Sequence, residues 1–506
     1  MATSKSRWYA LAALALSTLA VGLDTTILSV ALPTLSRDLH ASTGDLQWFT
    51  NSYLLVLAAV LLPAGMLGDR LGRKKLLLGA LFVFGAASAV CAWAGDSGQL
   101  IAARAVLGLG AAVIMPLSGA VLTVLFDDRE RPRALSIWVT ASALGVPLGP
   151  LLGGWLLDNF WWGSVFLINV PLVAIALVAV TFWVPESHGD RTRRFDPLGV
   201  LLSAAGLVVL TYGIIEAGDR GWSDARSMIT MIAGAVLLAG FVWWQRKARH
   251  PLVDLDLFRN RQFTGGAVLA TVASFGMLGL LFALPQFFSA VGGNDAFGSG
   301  LRLLPVIGGL LIGARTATRI AARLGTRTVI AGGLLLMTAG MLIGSTTDVN
   351  SGYGFLAVWI TLAGIGLGFT MPPAMDAALG ALTVERSGVG NGLIQAMRQV
   401  GGAIGVAVLG TVLNSAYRDH LPAGSGAAAR ESAGAGIAAA ARAGDPGMVD
   451  AVRDAFTQGM NASLVVAAAV SAAGAILALV MLPRRSPQPP AEAVEETRIA
   501  LAESGL

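Results

Sequence analysis

Apolar residues in this chain fall into long runs, and the charged residues collect in the short stretches between them. Trp48 to Ala64 contains no Asp, Glu, Lys or Arg, and neither does Leu76 to Ala94. A helical run of about 20 apolar residues crosses roughly 30 Å of hydrocarbon. Such windows lie at 8–32, 47–67, 76–94, 98–124, 134–157, 163–184, 197–216, 227–245, 264–289, 298–318, 327–346, 353–376, 390–414 and 459–482. They predict an all-α integral membrane protein of 14 transmembrane helices with no soluble core. The count is even, so both termini fall on one side. The first run follows Lys5 and Arg7 as a signal peptide would, but it is too long, contains Asp24 and lacks a cleavage site. It is read as a retained first span.

Charge orients this topology. Only 13% of residues are charged, against roughly 25% in soluble domains. Of the 35 Lys and Arg, 25 fall in segments predicted on one side, seven on the other, and Arg104, Arg302 and Arg398 lie within spans. Short cytoplasmic loops are enriched in cations, so the N- and C-termini are placed in the cytoplasm. A register shift of one helix would invert the bias. The net charge of +5 therefore reflects loop topology, and no nucleic acid partner is expected. Cys91 stands alone and excludes an internal disulfide. The four histidines, His40, His188, His250 and His420, are widely spaced, so no metal site is expected. No phosphate loop or Gly-x-Ser-x-Gly appears, so an enzyme or ATP-driven pump is not expected. Gly108-Leu-Gly110 lies inside a span with no preceding strand and is not a dinucleotide loop.

The densest charge is Gly65-Met-Leu-Gly-Asp69-Arg70-Leu-Gly72-Arg73-Lys74-Lys75, between spans 2 and 3. Gly65 and Gly72 are read as the bends of a short surface loop. The four cations serve topology, whereas Asp69 has no topological use. Gly313-Ala-Arg315-Thr-Ala-Thr-Arg319-Ile-Ala-Ala-Arg323-Leu-Gly325-Thr-Arg327 occupies the corresponding place in the second half, without the carboxylate. Parallel repeats of this kind suit transporters whose halves rock about a central site.

The pattern Gly-x-Leu-x-Asp-Arg-x-Gly-Arg-Lys resembles the signature loop of the major facilitator superfamily. Further motifs are similar to those of its 14-helix drug:proton antiporter branch. Span 1 carries Leu23-Asp24-Thr25-Thr26 and then Ala31-Leu32-Pro33, with Ser29 where the branch has Asn. Span 4 carries Leu100-x-x-x-Arg104-x-x-Leu107-Gly108, with Leu107 where the branch has Gln. Span 5 carries Gly145-Val-Pro147-Leu-Gly149-Pro150-Leu-Leu-Gly153-Gly154, which resembles the antiporter motif. Trp161-Trp162-Gly163 has Gly163 where the branch has Arg. Span 10 (Gly300-Leu-Arg302-Leu-Leu-Pro305) and span 13 (Asn391 to Gly405) also resemble it. The resemblance implies a major facilitator fold: two six-helix bundles, 1–185 and 256–483, with two additional helices in 186–255. An outer loop at about 416–458 follows, with a short surface helix over Asp445–Phe456, and 484–506 form a disordered cytoplasmic tail.

Candidate chemistry is sparse. A carboxylate inside a membrane is costly and must be paired, protonated or facing water. Asp24 thus suits a group that binds and releases a proton; the alternative is a packing carboxylate hydrogen-bonded to Thr25 or Thr26. Arg104 cannot lose its proton; it is read as the changing partner of a carboxylate or as half of a structural ion pair. Gly145, Pro147, Gly149, Pro150, Gly153 and Gly154 are expected to form a dry, bistable seam between bundles. The resemblance makes Gly65, Asp69, Arg70, Gly72 and Arg73 a conformational switch, in which Asp69 caps a partner helix and latches the cytoplasmic side of the outward-open state. Gln395, Arg398 and Gln399 share a helix face expected at the inter-bundle interface. Arg302 belongs to the span 10 motif. Glu216 and Asp376, at span ends, are either solvated termini or substrate anchors.

The resemblance implies a proton-coupled antiporter that exports hydrophobic or amphipathic drugs or antibiotics, cations among them. It is expected to be a monomer in the cell membrane, powered by the proton gradient without a cofactor. Its partners are a small-molecule substrate, protons and the lipid bilayer. The alternatives are a dedicated exporter of one metabolite or lipid, or a non-transporting membrane receptor or enzyme.

Overall fold

A computed structural model describes residues 4–127, 130–189 and 196–483. The segment expected as a cytoplasmic tail, 484–506, lies outside the described residues. The chain runs through α1 (Ser4–Asp38), α2 (Thr43–Leu71), α3 (Arg73–Ala92), α4 (Ser97–Leu125), α5 (Arg131–Asn159), α6 (Ser164–Leu167), α7 (Asn169–Trp183), α8 (Pro197–Arg220) and α9 (Ala225–Lys247). It continues through a 3-10 turn, α10 (Arg261–Ala290), α11 (Ala296–Arg302), α12 (Leu304–Leu324), α13 (Thr326–Gly344), α14 (Tyr353–Leu379), α15 (Val384–His420), α16 (Ala427–Glu431), α17 (Ala433–Ala443) and α18 (Pro446–Met481). There is no strand among the described residues. Among the described residues, length and composition give 14 segments able to span a membrane, as the apolar windows predict.

Spans 6 and 10 are each built from two helices, α6 with α7 and α11 with α12. Both breaks precede a proline, Pro171 or Pro305. Proline lacks the N–H that would close the preceding turn, and is tolerated at a helix start. Three expectations need correction. Gly65 is not a bend: α2 runs unbroken to Leu71, and only Gly72, at φ 108°, turns the chain. The outer loop is shorter than 416–458, because α15 extends to His420 and α16 and α17 fill much of the rest. Asp445–Phe456 is not a separate surface helix: Asp445 caps α18, which runs from Pro446 to Met481 without a break.

The helices α1 to α7 pack mainly on one another, as do α10 to α18. The two groups meet where α2 lies against α15, where α1 meets α10 and where α5 meets α11. We call the end bearing Gly72 and Arg323 the basic end, and the end bearing α16 and α17 the opposite end. At the opposite end, Ser36 Oγ donates to Ser432 Oγ (2.9 Å) and Thr43 Oγ1 to the Glu431 carbonyl (3.3 Å), so the α16–α17 segment roofs both groups.

The helices α8 and α9 pack on each other, and α8 lies across the seam between α2 and α15. Its contacts with α15 join an apolar cluster of Ile214, Ile215 and Ala407 to polar ones: Thr411 Oγ1 donates to the Ile214 carbonyl (2.9 Å), Asn414 Nδ2 to Asp219 Oδ1 (3.1 Å), and Arg418 pairs with Asp219 (2.9 Å). Against α2 they include the rings of Trp48 and Tyr212. The hairpin is closed by Asp196, which caps α8 through Gly199 N (2.9 Å) and accepts from Trp244 Nε1 (3.0 Å) and Gln245 Nε2 (2.8 Å) at the end of α9. Burial acts to raise the Asp196 pKa, but these bonds together outweigh it and hold the carboxyl below its ordinary value.

A folded-state pKa below the unfolded one gives stability that is present above the unfolded pKa and lost as pH falls through the folded pKa. Asp196→Ala should therefore lower stability by roughly 1–3 kcal/mol near neutral pH. In detergent melting curves, the gap to wild type should close in strong acid. A gap that stays constant across that range would contradict the role given to Asp196.

Candidate functional site

The polar centre begins with Asp24, midway along α1. Its side chain is 0% exposed and that of Arg104, on α4, is 1% exposed. Arg104 Nη1 donates to Asp24 Oδ2 at 2.6 Å, and Asn169 Nδ2 of α7 donates to Asp24 Oδ1 at 3.1 Å. Arg104 Nε donates to the Phe49 carbonyl (3.0 Å), and its guanidinium lies over the Tyr53 ring at 4.5 Å from the centroid. Ser88 on α3 accepts from Asn169 (3.1 Å) and donates to the Phe166 carbonyl (2.8 Å). Five spans thus converge on one carboxylate. Thr25 and Thr26 do not hold it: their hydroxyls turn back to the Val21 and Gly22 carbonyls. Both open readings of Arg104 survive, since an ion pair can also exchange partners.

The span 5 motif lies mainly against α1 rather than along the seam between bundles as expected; Pro150 and Gly154 meet the other group. Gly145, Gly149 and Gly153 recur every four residues and so share one face of α5. That face lies on α1. A Cβ on Gly145 would sit 2.7 Å from Leu23 N, one on Gly153 would sit 2.5 Å from Ile27, and one on Gly149 would collide with Thr26. Thr26 Oγ1 also donates to the Gly145 carbonyl (3.1 Å). The motif therefore clasps α5 to the helix that carries Asp24, and Pro147 and Pro150 lie within the clasped stretch. Gly154 turns to the other helix group, where a Cβ would lie 2.6 Å from Phe297, and the Pro150 carbonyl lies close against Gly300 of α11, where a Cβ would collide with it. Beside it, Asp158 accepts from Ala296 N (3.1 Å) and Phe297 N (2.9 Å), capping α11 across the interface.

At the basic end, Asp69 pairs with Arg73 Nη2 at 2.8 Å. The carboxylate that caps a helix there is Glu186, which accepts from Lys74 N (3.0 Å) and Lys75 N (3.3 Å) at the start of α3. Glycine is favoured at Gly72 by its φ of 108°, a conformation that L side chains rarely adopt, and a Cβ there would also crowd the Glu186 carboxylate. Arg73 Nη1 also donates to the Ala120 carbonyl of α4 (3.1 Å), and Arg70 is exposed. In this conformation Asp69 ties α2 to α3 and α4 rather than capping a helix of the other group.

The remaining candidates are scattered. Glu216 pairs with Arg220 at the exposed end of α8, away from the centre. Arg302 donates to the Gly298 carbonyl (3.2 Å) and lies over Tyr353 at the opposite end. Asp376 is exposed near the end of α14. Gln395 accepts from Arg398 Nη1 (2.7 Å), and Gln399 is half-buried on the same stretch of α15. Four contributors were missed from the sequence: Asn169, Ser88, Tyr53 and Asp158. Asn169 was visible only as a polar residue two positions before Pro171. No group of His, Cys, Asp and Glu suited to a metal occurs among the described residues.

The family model of the Major Facilitator Superfamily matches residues 14–406. The Tetracenomycin C resistance and export protein of Streptomyces glaucescens is 33% identical over 98% of this chain and 95% of its own length. The Multidrug efflux pump LfrA of Mycolicibacterium smegmatis is 32% identical over 94% of this chain and 96% of its own. Among solved structures, a bacterial homolog of the human lysosomal transporter Spinster, inward-facing and unoccupied, aligns with TM-score 0.70 and 17% identity over 96% of this chain and 100% of its own.

Two outcomes follow from the geometry. Arg104→Met strands a buried carboxylate and should cost about 3–5 kcal/mol in detergent melting, most of it recovered when Asp24→Asn is added. Additive losses would show that the two do not act as a pair. Asp158→Ala removes the acceptor that α5 offers to the start of α11, leaving that helix its own N-cap, Asp295. It should speed labelling of a cysteine placed at Ser289, in the opposite-end cavity, by an impermeant maleimide. Unchanged labelling would show that this contact does not hold the opposite end shut.

Proposed function

This chain belongs to the Major Facilitator Superfamily, and we propose that it exports hydrophobic or amphipathic compounds, drugs and antibiotics among them, in exchange for protons. Relatives named for drug resistance and export, matched along nearly the full chain, support export. The observation that carries the coupling is the fully buried Asp24–Arg104 pair on α1 and α4. Protonating Asp24 removes the charge that holds Arg104, which keeps the Phe49 carbonyl and the Tyr53 ring as partners. The helix α1 is then free to shift relative to α4, and α5 moves with it through the glycine clasp. The far end of α5 bears on α11 through Gly154 and Asp158, so a local proton event reaches the other helix group.

The basic end faces the cytoplasm in this reading, following the cation bias, with both termini on that side. The membrane is the cell membrane and the unit is a monomer. The energy source is the proton gradient, without a bound cofactor, and no catalytic step is assigned. A second reading is a dedicated exporter, since a relative matched over 98% of this chain is named for the export of one compound.

Cells expressing the protein should extrude a fluorescent lipophilic compound, and a protonophore should stop the extrusion. Asp24→Asn should abolish gradient-driven efflux while leaving downhill movement. Normal gradient-driven efflux in that variant would remove Asp24 from coupling.

A further inference from the structure

Asp24 and Arg104 neutralise each other, so the charges that meet a cargo lie elsewhere. The basic-end half of α15 carries one. Arg398 donates to Gln395 Oε1 (2.7 Å), approaches Ser274 Oγ on α10 (3.4 Å) and lies 3.7 Å from Met375 Sδ on α14. Every one of these partners is neutral. No carboxylate among the described residues stands within 4.0 Å of it. Arginine stays charged, and a charge within a span is normally paired or faces a watery path.

The helix geometry shows which path. Residues advance about 100° around a helix. The α15 face with Gly392 and Gly410 lies on α2, and the face with Gly401 and Gly405 lies on α10. Gln395, Arg398 and Gln399 fall in the arc between, which looks out between the two helix groups, and all three are half-buried. The same face continues to Leu413 and Tyr417, which line a cavity of about 260 Å³ under α17. Two further guanidinium groups line that cavity, Arg37 and Arg453, the latter 3.9 Å from the exposed carboxylate of Asp450. Between Arg398 and the cavity, Ile27, Leu28, Phe282 and Val406 pack into one apolar cluster. The route thus offers cationic donors on both sides of an apolar plug.

We propose that Arg398 reads the cargo, and that it selects an apolar body bearing an anionic or strongly hydrogen-bond-accepting group, such as a carboxylate or phenolate. The guanidinium fork supplies paired donors that a carboxylate accepts in its own plane. Gln395 and Ser274 steady the fork without neutralising it. Arg37 and Arg453 offer the same group a second foothold once the plug has parted. This inference rests on the export reading above and narrows its cargo class.

The test uses the full-length protein in inverted membrane vesicles, with fluorescein as the anionic probe and ethidium as the cationic one. Wild type should accumulate fluorescein in a gradient-dependent way. Arg398→Gln should reduce fluorescein transport about tenfold or more, with ethidium transport held or raised, and Arg398→Lys should fall between. A parallel loss of both probes, or unchanged fluorescein transport, would overturn the assignment, as would wild type carrying ethidium alone. If wild type carries neither probe in response to the gradient, the export reading itself fails.

Discussion

One buried ion pair dictates how the first helix group is built. Asp24 and Arg104 lie beyond the reach of bulk water, and each would be severely penalised alone. The surrounding helices supply the remaining partners: Asn169 and the Phe49 carbonyl take the free positions, and Tyr53 presents a ring face to the cation. Such a pair adds little net stability compared with a well-packed apolar replacement. Its presence therefore suits the proposed role of a group whose charge changes.

A proton moves no helix unless its effect is carried to the seam. The contact between α1 and α5 is made of glycines that bring backbones together, so in the proposed mechanism these helices travel as one unit. The far end of α5 grips α11 through Asp158, while α8 bonds to α15 through Thr411, Asn414 and Arg418 and bridges to α2. In the proposed mechanism, small residues and helix caps are the mechanical parts and the ion pair is the trigger. Both caps across loops and interfaces, Glu186 on α3 and Asp158 on α11, use a carboxylate against the positive end of a helix.

Much of the fold was legible because the bilayer imposes a length and an apolarity that any window can read. Helix ends were less legible. Apolar windows record transfer energy, whereas helices continue into polar ends, so Asp38 and the Asp445 cap fell outside the predicted spans. Gly65 looked like a bend because glycine marks turns, but helix neighbours on both sides hold it in α2. At the site, charge exposed Asp24 and Arg104, since ionised residues are rare in spans. Asn169 gave no such signal. Asp158 serves a helix that begins 138 residues later, a relation no local pattern contains. The span 5 glycines were recognised, but their partner was misplaced: spacing shows which residues share a face and not what that face meets. Family membership follows from similarity along nearly the whole chain, whereas the cargo depends on this chain's own residues.

The central claim is that Asp24 exchanges its proton as cargo is handled. It is tested most directly by adding a transported dye to the purified protein in weakly buffered solution and following pH. Wild type should release or take up protons in proportion to dye bound, on the order of one per site, and Asp24→Asn should bind dye with no such change. Equal proton exchange in both proteins, or none in wild type, would contradict the account.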